Sequence, residues 1–573
     1  MLLEKKWNIL EAELAKSEAL QNSLNINASL CKILIQRRIH SYDDAKKYFR
    51  PQLSDLHSPW LMQDMEVAVG RIILAIERKE NILVYGDYDV DGTTAVACMV
   101  DFLRKIYTKD HIDYYIPNRY REGYGVSKAG IEYAAENDFS LIICLDCGIK
   151  SVELIDHALS IGIDFIICDH HQPGDILPHA KAILNPKQSA CNYPYKELCG
   201  CSIGFKLISA LCEKLSLDSL DFLCYLDLVA IATAADIVPL TGENRIFGYF
   251  GLIKLNNDPS VGIKSLIAIS GNMLPLTLNN VAFMIAPRIN AAGRMDDAAL
   301  AVDLFLEKNE TEADKIAQLL DKHNSERKKI EVQINEEAIN VIDTDTSFLF
   351  KNSIVIFNAN WHKGVVGIVA ARLIEKYYRP TIVLSQSGDI VTGSARSVHG
   401  FDLYEAIHSC REHLLGYGGH FAAAGMSLHP QNVNVFAKSF EDAVTARIRP
   451  AMLVPSLHIN AELQFRDIRA GLYNIITQME PFGPQNAKPV FISRNIINTG
   501  YSKIVKDAHI RFALVQHNVI LTGIGFNLAH KFHLLQDRKL VDIVYTIDKN
   551  EWYGQSVLQL KIIDICCSEN ALS

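Results

Sequence analysis

The chain has 573 residues, of which 49% are hydrophobic and 21% charged, and its net charge is −9 at pH 7. This length predicts about three or four globular domains, and the negative charge argues weakly against a nucleic-acid partner, because phosphate binding needs a basic surface. The sequence shows no run of about 18 uncharged apolar residues and no signal-peptide pattern, so we expect a cytoplasmic protein with no membrane segment.

The 13 cysteines follow no repeating framework, which favours reduced thiols over a disulfide scaffold. Cys144 and Cys147 form a C-x-x-C pair, but they lie inside the apolar run "LIICLDCG". Cys199 and Cys201 are the other close pair. This spacing differs from that of a four-cysteine zinc site, so structural zinc is disfavoured.

The first 240 residues are predicted to contain two regions. Residues 1–60 have apolar side chains at helical spacing and predict an N-terminal helical segment, in which Ser41 caps one helix. From residue 61 to 240, apolar runs such as "NILVYG", "SLIICLDCG" and "DFIICDHH" alternate with helix-like stretches. This alternation is typical of βαβ units around a parallel sheet.

The remaining chain is predicted to contain three further regions. Residues 241–345 are mainly helical and end in a long charged helix, whose apolar stripe fits either a connection between domains or an ordinary surface helix. Strand-like runs return over 346–450, which predicts a second, smaller α/β domain. Five or so short β-like runs over 456–567 predict a small barrel such as an OB fold, a frequent binder of single strands.

Acidic and imidazole side chains follow the apolar runs of residues 61–240. They are Asp87, Asp89, Asp91, Asp146, Asp169, His170, His171 and Asp236. Each one alone is compatible with a turn or a cap, and an EF-hand is excluded because Cys98 stands where that loop needs a glutamate. The carboxyl ends of parallel strands meet at one edge of a sheet, so these side chains are expected to converge there.

Converging carboxylates would repel one another unless a cation neutralised them. Oxygen ligands mixed with imidazole suit Mn²⁺ or Mg²⁺. Two such ions about 3.5–4 Å apart stabilise both the attacking and the leaving oxygen in phosphoester hydrolysis. The residues alone therefore predict hydrolytic two-metal chemistry.

Polar motifs in the later regions each allow two interpretations. Ser394, Arg396 and Ser397 follow a strand and fit either a terminal-phosphate site or an ordinary polar turn. His420, in "GYGGHFAAAG", fits either a donor to the scissile phosphate or a core histidine. The remaining candidates fit either nucleic-acid contact or structural packing: Arg288, Asn290 and Arg294 near a predicted turn, Trp361 and His362, and the hairpin-tip pair Trp552 and Tyr553.

Several motifs together resemble a known family. "YGDYDVDG", "LIICLDCG", "DHH" and "ATAADIVPL", in this order, resemble the DHH phosphoesterase superfamily, and "GSARS" and "GGHFAAAG" resemble its DHHA1 partner domain. The order of motifs from about residue 60 to 567 is similar to the RecJ family of single-strand-specific DNA exonucleases. The fold class expected from this resemblance is α/β: a DHH-type parallel-sheet domain joined by a long helix to a smaller α/β DHHA1 domain, followed by an OB-like β-barrel.

The resemblance also implies roles for individual residues. Asp89 and Asp91 match the paired metal aspartates, Asp146 the bridging ligand, His170 the imidazole ligand and Asp236 the last acid, while His171 would lie over the substrate phosphate. Smaller members carry a histidine where this chain has Tyr85, which makes Asp87 the natural substitute ligand. The pocket for a 5′-phosphate would contain Ser394, Arg396, Ser397 and either Arg119 or Arg121, and His420 would act at the scissile phosphate.

The function implied is a Mn²⁺- or Mg²⁺-dependent 5′→3′ exonuclease that degrades single-stranded DNA to 5′-mononucleotides in repair and recombination. A monomer that works with a helicase and a single-strand-binding protein is expected. Two alternatives stay open from the sequence. One is a DHH phosphodiesterase for short oligonucleotides or cyclic dinucleotides, and the other is a non-catalytic strand-binding scaffold like Cdc45, which would carry eroded ligands.

Overall fold

The computed structural model describes residues 4–271, 274–295, 297–552 and 555–568. Its N-terminal segment contains β1 (Lys6–Ile9), α1 (Leu14–Leu24), α2 (Ala28–Gln36) and α3 (Tyr42–Phe49). Ser41 caps α3 as predicted, in a capping box with Asp44. The strand was not predicted, because its parallel partner lies at residues 456–459 and local sequence carries no signal of so distant a pairing.

The first α/β domain follows. Its elements are α4 (Met65–Arg78), β2 (Asn81–Gly86), α5 (Val90–Ile106), β3 (Ile112–Tyr115), α6 (Lys128–Glu136), β4 (Phe139–Leu145), α7 (Val152–Ser160), β5 (Asp164–Cys168), β6 (Ala182–Leu184), α8 (Gly200–Lys214), α9 (Leu220–Leu223) and α10 (Leu226–Ala235). The sheet has the order β3-β2-β4-β5-β6 and is parallel throughout. Ile82 and Val84 face one core and Leu83 and Tyr85 the other, which explains the continuous apolar runs of a sheet covered on both faces.

The run "DLVAIATAA" before Asp236 was interpreted as a strand, and this is wrong: it forms α10. A fully buried helix and a fully buried strand give the same unbroken apolar run. The alanines of this run favour the helix.

A helical region leads to the second domain. It contains α11 (Gly242–Asn257), α12 (Val261–Ile269), α13 (Leu278–Asn280), a π-helical turn (Val281–Ile285), α14 (Ala286–Met295), α15 (Ala299–Leu306) and α16 (Glu310–Thr344). The predicted long helix is α16, which has 35 residues and a length of about 50 Å. It packs on α12 and α14 at one end and on the second α/β domain at the other.

The second α/β domain contains β7 (Ile354–Asn358), α17 (Val366–Tyr377), β8 (Thr381–Ser387), β9 (Ile390–Arg396), α18 (Leu403–His408), β10 (Gly416–Gly419), β11 (Ala423–Leu428) and α19 (Val433–Thr445). Its sheet order is β10-β11-β9-β8-β7, and only the pairing of β7 with β8 is parallel. The hairpin of β10 and β11 lies at the sheet edge that faces the first domain.

The C-terminal region forms a barrel. Its elements are β12 (Ser456–Ile459), β13 (Ala461–Glu462), α20 (Ala470–Gln478), β14 (Phe491–Asn498), β15 (Lys503–Val505), β16 (His509–Gln516), β17 (Val519–Gly525), β18 (Val541–Trp552) and β19 (Gln555–Cys567). Strands β14, β18, β19, β17 and β16 pair in that order, and β16 returns to β14 to close the ring. One of the β-like runs of this region, "FRDI", predicts a strand but forms a 3₁₀ helix instead. Leu20, Leu30 and Leu34 of the N-terminal segment pack into the barrel core.

Short 3₁₀ helices connect many of these elements: Leu53–Asp55, Pro59–Leu61, Lys109–His111, Thr346–Phe350, Arg411–His413, Pro430–Asn432, Pro450–Leu453, Phe465–Asp467 and Ala529–Leu535. Among the residues that the structure describes, none of the helices is long and apolar enough to cross a membrane.

Candidate active site

Strand ends supply the acidic side chains of the candidate site. Asp87, Asp146 and Asp169 directly follow β2, β4 and β5 at the carboxyl edge of the parallel sheet. Asp89 caps α5 and accepts a hydrogen bond from the Gly92 amide at 3.1 Å. Asp91, in the first turn of the same helix, accepts hydrogen bonds from two further amides at the start of α8. These belong to Gly200 at 2.6 Å and Cys201 at 2.7 Å. Helix N-termini therefore hold Asp89 and Asp91 in place.

Two glycines allow the approach of these elements. A Cβ atom at Gly200 would lie 2.5 Å from the Cβ atom of Asp146, and one at Gly92 would lie 2.3 Å from the Asp87 carbonyl oxygen. Asp146 itself has a left-handed backbone with φ of 63°, a conformation that Asp tolerates better than most residues. Side chains larger than hydrogen at these two glycines would push the carboxylates apart.

All six predicted metal ligands come together. Ligand atoms lie within 4.8 Å of one another in three groups: Asp87 with Asp89 and Asp146, Asp91 with His170 and Asp236, and Asp146 with His170 and His171. The Nε2 atom of His170 lies 3.2 Å from a carboxylate oxygen of Asp146 and 3.6 Å from one of Asp236. Asp236 reaches the cluster from the C-terminal end of α10, rather than from the end of a strand as predicted.

Tyr85 stands where smaller superfamily members have a histidine, and it has no imidazole to offer as a ligand. Its ring is buried in the core, and its hydroxyl donates to the Gly125 carbonyl at 3.0 Å. Asp87 is the residue that adds a ligand atom on this side of the cluster.

The cluster carries more negative charge than its own residues compensate. Burial, followed by repulsion between neighbouring carboxylates, raises the pKa of Asp87, Asp91, Asp146 and Asp236. Burial lowers the pKa of His170 to about 4, so its imidazole is neutral at pH 7 and supplies no positive charge.

Three buried atoms of the cluster lack a hydrogen-bond partner: Oδ1 of Asp87, Oδ1 of Asp146 and Nδ1 of His170. Buried polar atoms are normally paired, and this set of carboxylate oxygens around a neutral imidazole fits Mn²⁺ or Mg²⁺. The metal-ligand groups found among the described residues contain no cysteine. The residues present therefore fit the predicted divalent ions.

His171 is held by a carboxylate outside the cluster. Its Nδ1 atom lies 2.8 Å from Oδ1 of Asp169, which also accepts the His171 amide at 3.0 Å. Burial opposes the charge of both groups, but this contact lowers the pKa of Asp169 to about 2 and raises that of His171. The pair keeps a proton on His171 and leaves Nε2 turned to the Tyr124 hydroxyl, 3.1 Å away.

His171 and His420 line the same cleft. A cavity of about 1110 Å³ lies between the first α/β domain and the hairpin of the second, and Lys150 lines it as well. His420 occupies the hairpin turn, where its amide donates to the Ala423 carbonyl at 2.8 Å. Burial and the nearby charge of Lys150 lower the pKa of its imidazole. His420 is thus exposed in the cleft rather than buried in a core.

A basic pocket, made by Arg119, Arg294 and Arg396, lies at the junction of the two domains. Burial lowers the pKa of Arg294 to about 10, and the charge of Arg119 adds to this effect; burial and Arg119 likewise lower the pKa of Arg396. The Arg119 guanidinium lies 4.9 Å from the Tyr88 ring centre. The Ser394 hydroxyl accepts a hydrogen bond from Arg396 at 2.9 Å. Guanidinium groups gathered from three parts of the chain, two of them with a lowered pKa, define a site for an anion.

The start of α17 lies against this basic pocket. A Cβ atom at Gly367 would meet the Ser394 hydroxyl at 2.8 Å and the Arg396 guanidinium at 3.3 Å. The helix has 12 residues, and its N-terminal amides favour an anion at this end.

Ser397 and Arg121 do not join the basic pocket. The Ser397 hydroxyl donates to the Phe401 carbonyl at 2.8 Å. Arg121 is exposed, and its amide contacts the Asn118 side chain. The geometry favours Arg119 of the two arginines in "RYREGYG".

Arg288 and Asn290 lie in α14, where a turn was predicted. Arg288 binds Asp321 of α16 at 2.8 Å and the Met284 carbonyl at 2.6 Å, which favours the structural interpretation of this residue. Asn290 is partly buried in the same helix. Arg294 is the residue of this motif that reaches the basic pocket, where its guanidinium donates to the Gly364 carbonyl at 2.9 Å.

Two predicted aromatic contacts have different outcomes. Trp361 is buried in the second domain, and its indole donates to Glu337 at 2.7 Å, so its interpretation as a base-stacking residue is wrong. His362 remains half-exposed beside Tyr120. The predicted hairpin tip lies partly outside the described residues: Trp552 ends β18, and Tyr553 is not described.

Lys187 was missed by the sequence analysis. It follows β6, the next strand of the sheet, and its charge acts on His170, Asp236 and His420. Its position after the apolar run "KAILNP" is the same strand-end signal that identified the aspartates.

A parallel sheet with this acidic cluster at its carboxyl edge, facing a second α/β domain across a cleft, defines a phosphoesterase of the DHH type. Family models match three parts of the chain: the DHH family N-terminal domain at residues 81–233, the DHHA1 domain at 350–446 and the RecJ OB domain at 459–564.

Similarity to curated proteins covers most of the chain. The single-stranded-DNA-specific exonuclease RecJ of Bacillus subtilis is 35% identical over 568 residues, which is 98% of this chain and 71% of that protein. RecJ of Escherichia coli is 32% identical over 533 residues, with 88% and 91% covered. The structure of Thermus thermophilus RecJ in complex with Mn²⁺ matches with a TM-score of 0.85 at 25% identity and covers 98% of this chain and 80% of that one. The chain belongs to the RecJ family.

Proposed function

We propose that this chain is a Mn²⁺- or Mg²⁺-dependent exonuclease that degrades single-stranded DNA from the 5′ end to 5′-mononucleotides. The observation that carries the proposal is the position of the basic pocket beside the acidic cluster, with Arg119 close enough to act on Asp87. A terminal phosphate in the pocket would present the next phosphate of the strand to the cluster. The relatives that are named single-stranded-DNA-specific exonucleases support this substrate.

The ligand groups suggest how two ions would be held. Asp87, Asp89 and Asp146 would hold one divalent cation, and Asp91, His170 and Asp236 the other, with Asp146 close to both. When bound, such a pair activates water and stabilises the charge that develops on the phosphate.

The chain's own residues position the substrate. Arg396 and Arg119 bind the terminal phosphate through their planar guanidinium groups, and the Ser394 hydroxyl orients Arg396. His171, kept protonated by Asp169, donates from Nε2 to a phosphate oxygen of the substrate. His420 approaches the same phosphate from the opposite wall of the cleft.

The complete ligand set argues against the two alternatives. A non-catalytic scaffold has no need of unpaired buried carboxylates, which cost free energy unless a cation binds them. A phosphodiesterase for short oligonucleotides has no need of a closed barrel of five strands. The barrel instead provides a surface for a longer strand.

The test is digestion of a 3′-labelled single-stranded oligonucleotide, with or without a 5′-phosphate, in Mn²⁺ and in EDTA. We expect progressive shortening from the 5′ end, faster with the 5′-phosphate and abolished by EDTA. Shortening from the 3′ end, equal cutting of blunt duplex, or binding without shortening in every metal would each contradict the proposal.

We further propose that the enzyme acts as a monomer on strands exposed by a helicase and coated by a single-strand-binding protein, in repair and recombination. The C-terminal region contacts the helical region within one chain, where Arg245 donates to the Met479 and Glu480 carbonyls, and α16 packs on the second α/β domain, which supports the monomer. Light scattering at micromolar concentration tests it, and a mass of twice 64.1 kDa would contradict it.

A further inference from the structure

An apolar groove adjoins the acidic cluster at Asp236. The residues before and after Asp236 line a cavity of about 260 Å³, whose other wall includes Phe283, Phe482 and Pro484. The Leu240 amide donates to the Pro484 carbonyl at 2.8 Å and closes the groove at its base. We call this the Ile237–Phe283 groove.

Two large apolar side chains at its rim are exposed. Ile237 is 69% exposed and Phe283 is 72% exposed. Exposure of two such residues beside a cluster of carboxylates costs free energy unless a ligand covers them. The groove thus places apolar side chains directly beside a ligand of the acidic cluster.

The backbone at both residues is unusual. Ile237 has a φ of 59°, which is an outlier for a β-branched side chain and a source of backbone strain. Phe283 lies in the π-helical turn Val281–Ile285, a rare element that is found mostly at functional sites. Strain at Ile237 and the π-turn at Phe283 are independent features, and both present an apolar side chain to the same groove.

The groove and the basic pocket lie at different parts of the acidic cluster. The groove is lined by the residues on either side of Asp236, which belongs to one ligand group, whereas Asp87, the carboxylate near Arg119, belongs to another. The helix formed by the π-turn and α14 carries Phe283 at one end and Arg294 at the other, and residues 283 to 294 rise about 16 Å along it. A strand anchored at the basic pocket would pass the acidic cluster and then reach the groove.

We propose that the Ile237–Phe283 groove binds the unpaired nucleobases that lie downstream of the scissile phosphate. This inference rests on the proposed exonuclease function and adds a base-binding site to it. Phe283 offers a ring face for stacking, and Ile237 packs on the edge of the same base. Bases in a duplex are paired and already stacked, so the groove also disfavours double-stranded DNA.

The experiment compares Phe283→Ala and Ile237→Asn with Phe350→Ala. Asn tolerates the left-handed backbone at position 237, so this change removes the apolar side chain without adding strain. Phe350 is 88% exposed and lies outside the cleft, after α16, which makes it a matched control for the loss of an exposed phenylalanine.

The substrates are 5′-phosphorylated 20-mers with one abasic site at each of positions two to six, the intact 20-mer, and a 5′-phosphorylated dinucleotide that lacks its second base. With wild type, we expect kcat/KM for the first cleavage to fall at least about fivefold when the abasic site occupies the groove, since one stacked base is lost. Phe283→Ala should lose as much on the intact 20-mer, mainly through KM, and should not respond to the abasic site.

The dinucleotide is the internal control because it presents a scissile phosphate and no downstream base. Wild type and Phe283→Ala should cleave it equally, which shows that the catalytic residues are intact. Three results would each overturn the inference. The first is an equal loss of kcat/KM in Phe283→Ala on the intact 20-mer and on the dinucleotide. The others are a loss no greater than that of Phe350→Ala, and an abasic site that still lowers kcat/KM in Phe283→Ala.

Fluorescence anisotropy of the same 20-mers in EDTA separates this inference from the proposed function. If wild type cleaves nothing in any metal, the exonuclease proposal fails. The anisotropy measurements still test whether the groove binds a base. Weaker binding of one abasic 20-mer to wild type, and equal binding of all of them to Phe283→Ala, supports the groove in that case too. Equal binding throughout contradicts it.

Discussion

The acidic cluster and the basic pocket lie side by side but are built in different ways. Every ligand of the acidic cluster comes from the first α/β domain, from the segments that follow β2, β4 and β5 at one edge of the sheet and from the end of α10. The basic pocket combines Arg119 of the first domain, Arg294 of the helical region and Arg396 of the second domain. Local folding thus fixes the acidic cluster, whereas the basic pocket exists only when the two domains are correctly placed.

This difference predicts that hydrolysis depends on the acidic cluster, whereas recognition of the 5′ end depends on the basic pocket. Damage to the acidic cluster should abolish hydrolysis on every substrate, while damage to the basic pocket should remove the preference for a 5′-phosphate and leave hydrolysis itself in place. Changes to the two sites, taken from the largest expected effect to the smallest, test this separation.

The largest effect is expected from Asp146→Asn. Asn keeps the side-chain shape and tolerates the left-handed backbone, but it removes a carboxylate that belongs to one ligand group and lies 3.2 Å from His170 of the other. We expect kcat to fall about 10³-fold or more, which corresponds to about 4 kcal/mol, equally with and without a 5′-phosphate. Asp258→Asn, at a side chain that is 90% exposed, is the control, and a substrate-dependent loss in Asp146→Asn would contradict the separation.

Arg396→Ala is expected to lower kcat/KM on 5′-phosphorylated strands by about 10- to 100-fold, the value of a charge-assisted hydrogen bond to phosphate. Strands with a 5′-hydroxyl should be cleaved at an almost unchanged rate. Arg121→Ala, at the neighbouring exposed arginine, should change neither rate. The ratio of kcat/KM for the two ends is the measurement, and an equal loss on both ends would show that Arg396 is not specific to the terminal phosphate.

Asp169→Asn should lower kcat by about tenfold, because a hydrogen-bonded partner that orients a catalytic imidazole contributes this much or more. The Asp169 contact holds the pKa of His171 above its usual value, so the alkaline limb of the pH–rate profile should move to lower pH in the variant. Asp156 makes the same contact with exposed His179 at 2.9 Å, and Asp156→Asn should leave the profile unchanged. A profile that does not move in Asp169→Asn would exclude protonated His171 from the reaction.

Removal of divalent ions should make stability fall with rising pH. The four carboxyls with raised pKa hold more protons folded than unfolded, so the folded state loses stability above about pH 4, the unfolded value. The cost is about 1.4 kcal/mol for each unit by which a pKa is raised. Asp169, with a pKa of about 2, contributes the opposite slope only below about pH 4. Melting in EDTA at pH 5 and pH 7.5 is the measurement; Mn²⁺ should cancel the difference, and Asp146→Asn should reduce it.

The smallest effect on activity is expected from Arg288→Met. Because its guanidinium already binds Asp321 and the Met284 carbonyl, we expect a stability loss of about 1–3 kcal/mol and no change in the salt dependence of DNA binding. Arg294→Met, in the same helix, should instead weaken binding of 5′-phosphorylated strands. A shallower salt dependence for Arg288→Met would show that Arg288 contacts phosphate after all.

The strand-end rule explains why so much of the acidic cluster was predictable. An apolar run in the sequence indicates a buried parallel strand, and the residue after that strand must lie at the carboxyl edge of the sheet. Asp236 was the right residue on the wrong element, because the apolar run before it is a buried helix. The long helix and the barrel were also predicted, since their periodicities differ from those of the flanking regions.

The arginines could not be ranked in this way. Arg288 and Arg294 lie six residues apart in one motif, and on a helix this spacing separates them by about 120° around the axis. Read as a turn, the motif gave no reason to assign one to a salt bridge and the other to the basic pocket. Trp361 shows the same limit, because burial depends on the distant α16, where its partner Glu337 lies.

The pairing of β1 with β12 has a consequence for synthesis of the chain. Residues of the two strands that face each other are 450 positions apart, and the core that receives Leu20 and Leu30 also includes Phe491. At ribosomal rates of 5–20 residues per second, the first helices wait roughly 20–90 s for their partner. During that time the apolar faces of α1 and α2 are uncovered, so a chaperone that binds nascent apolar segments has a long interval in which to act.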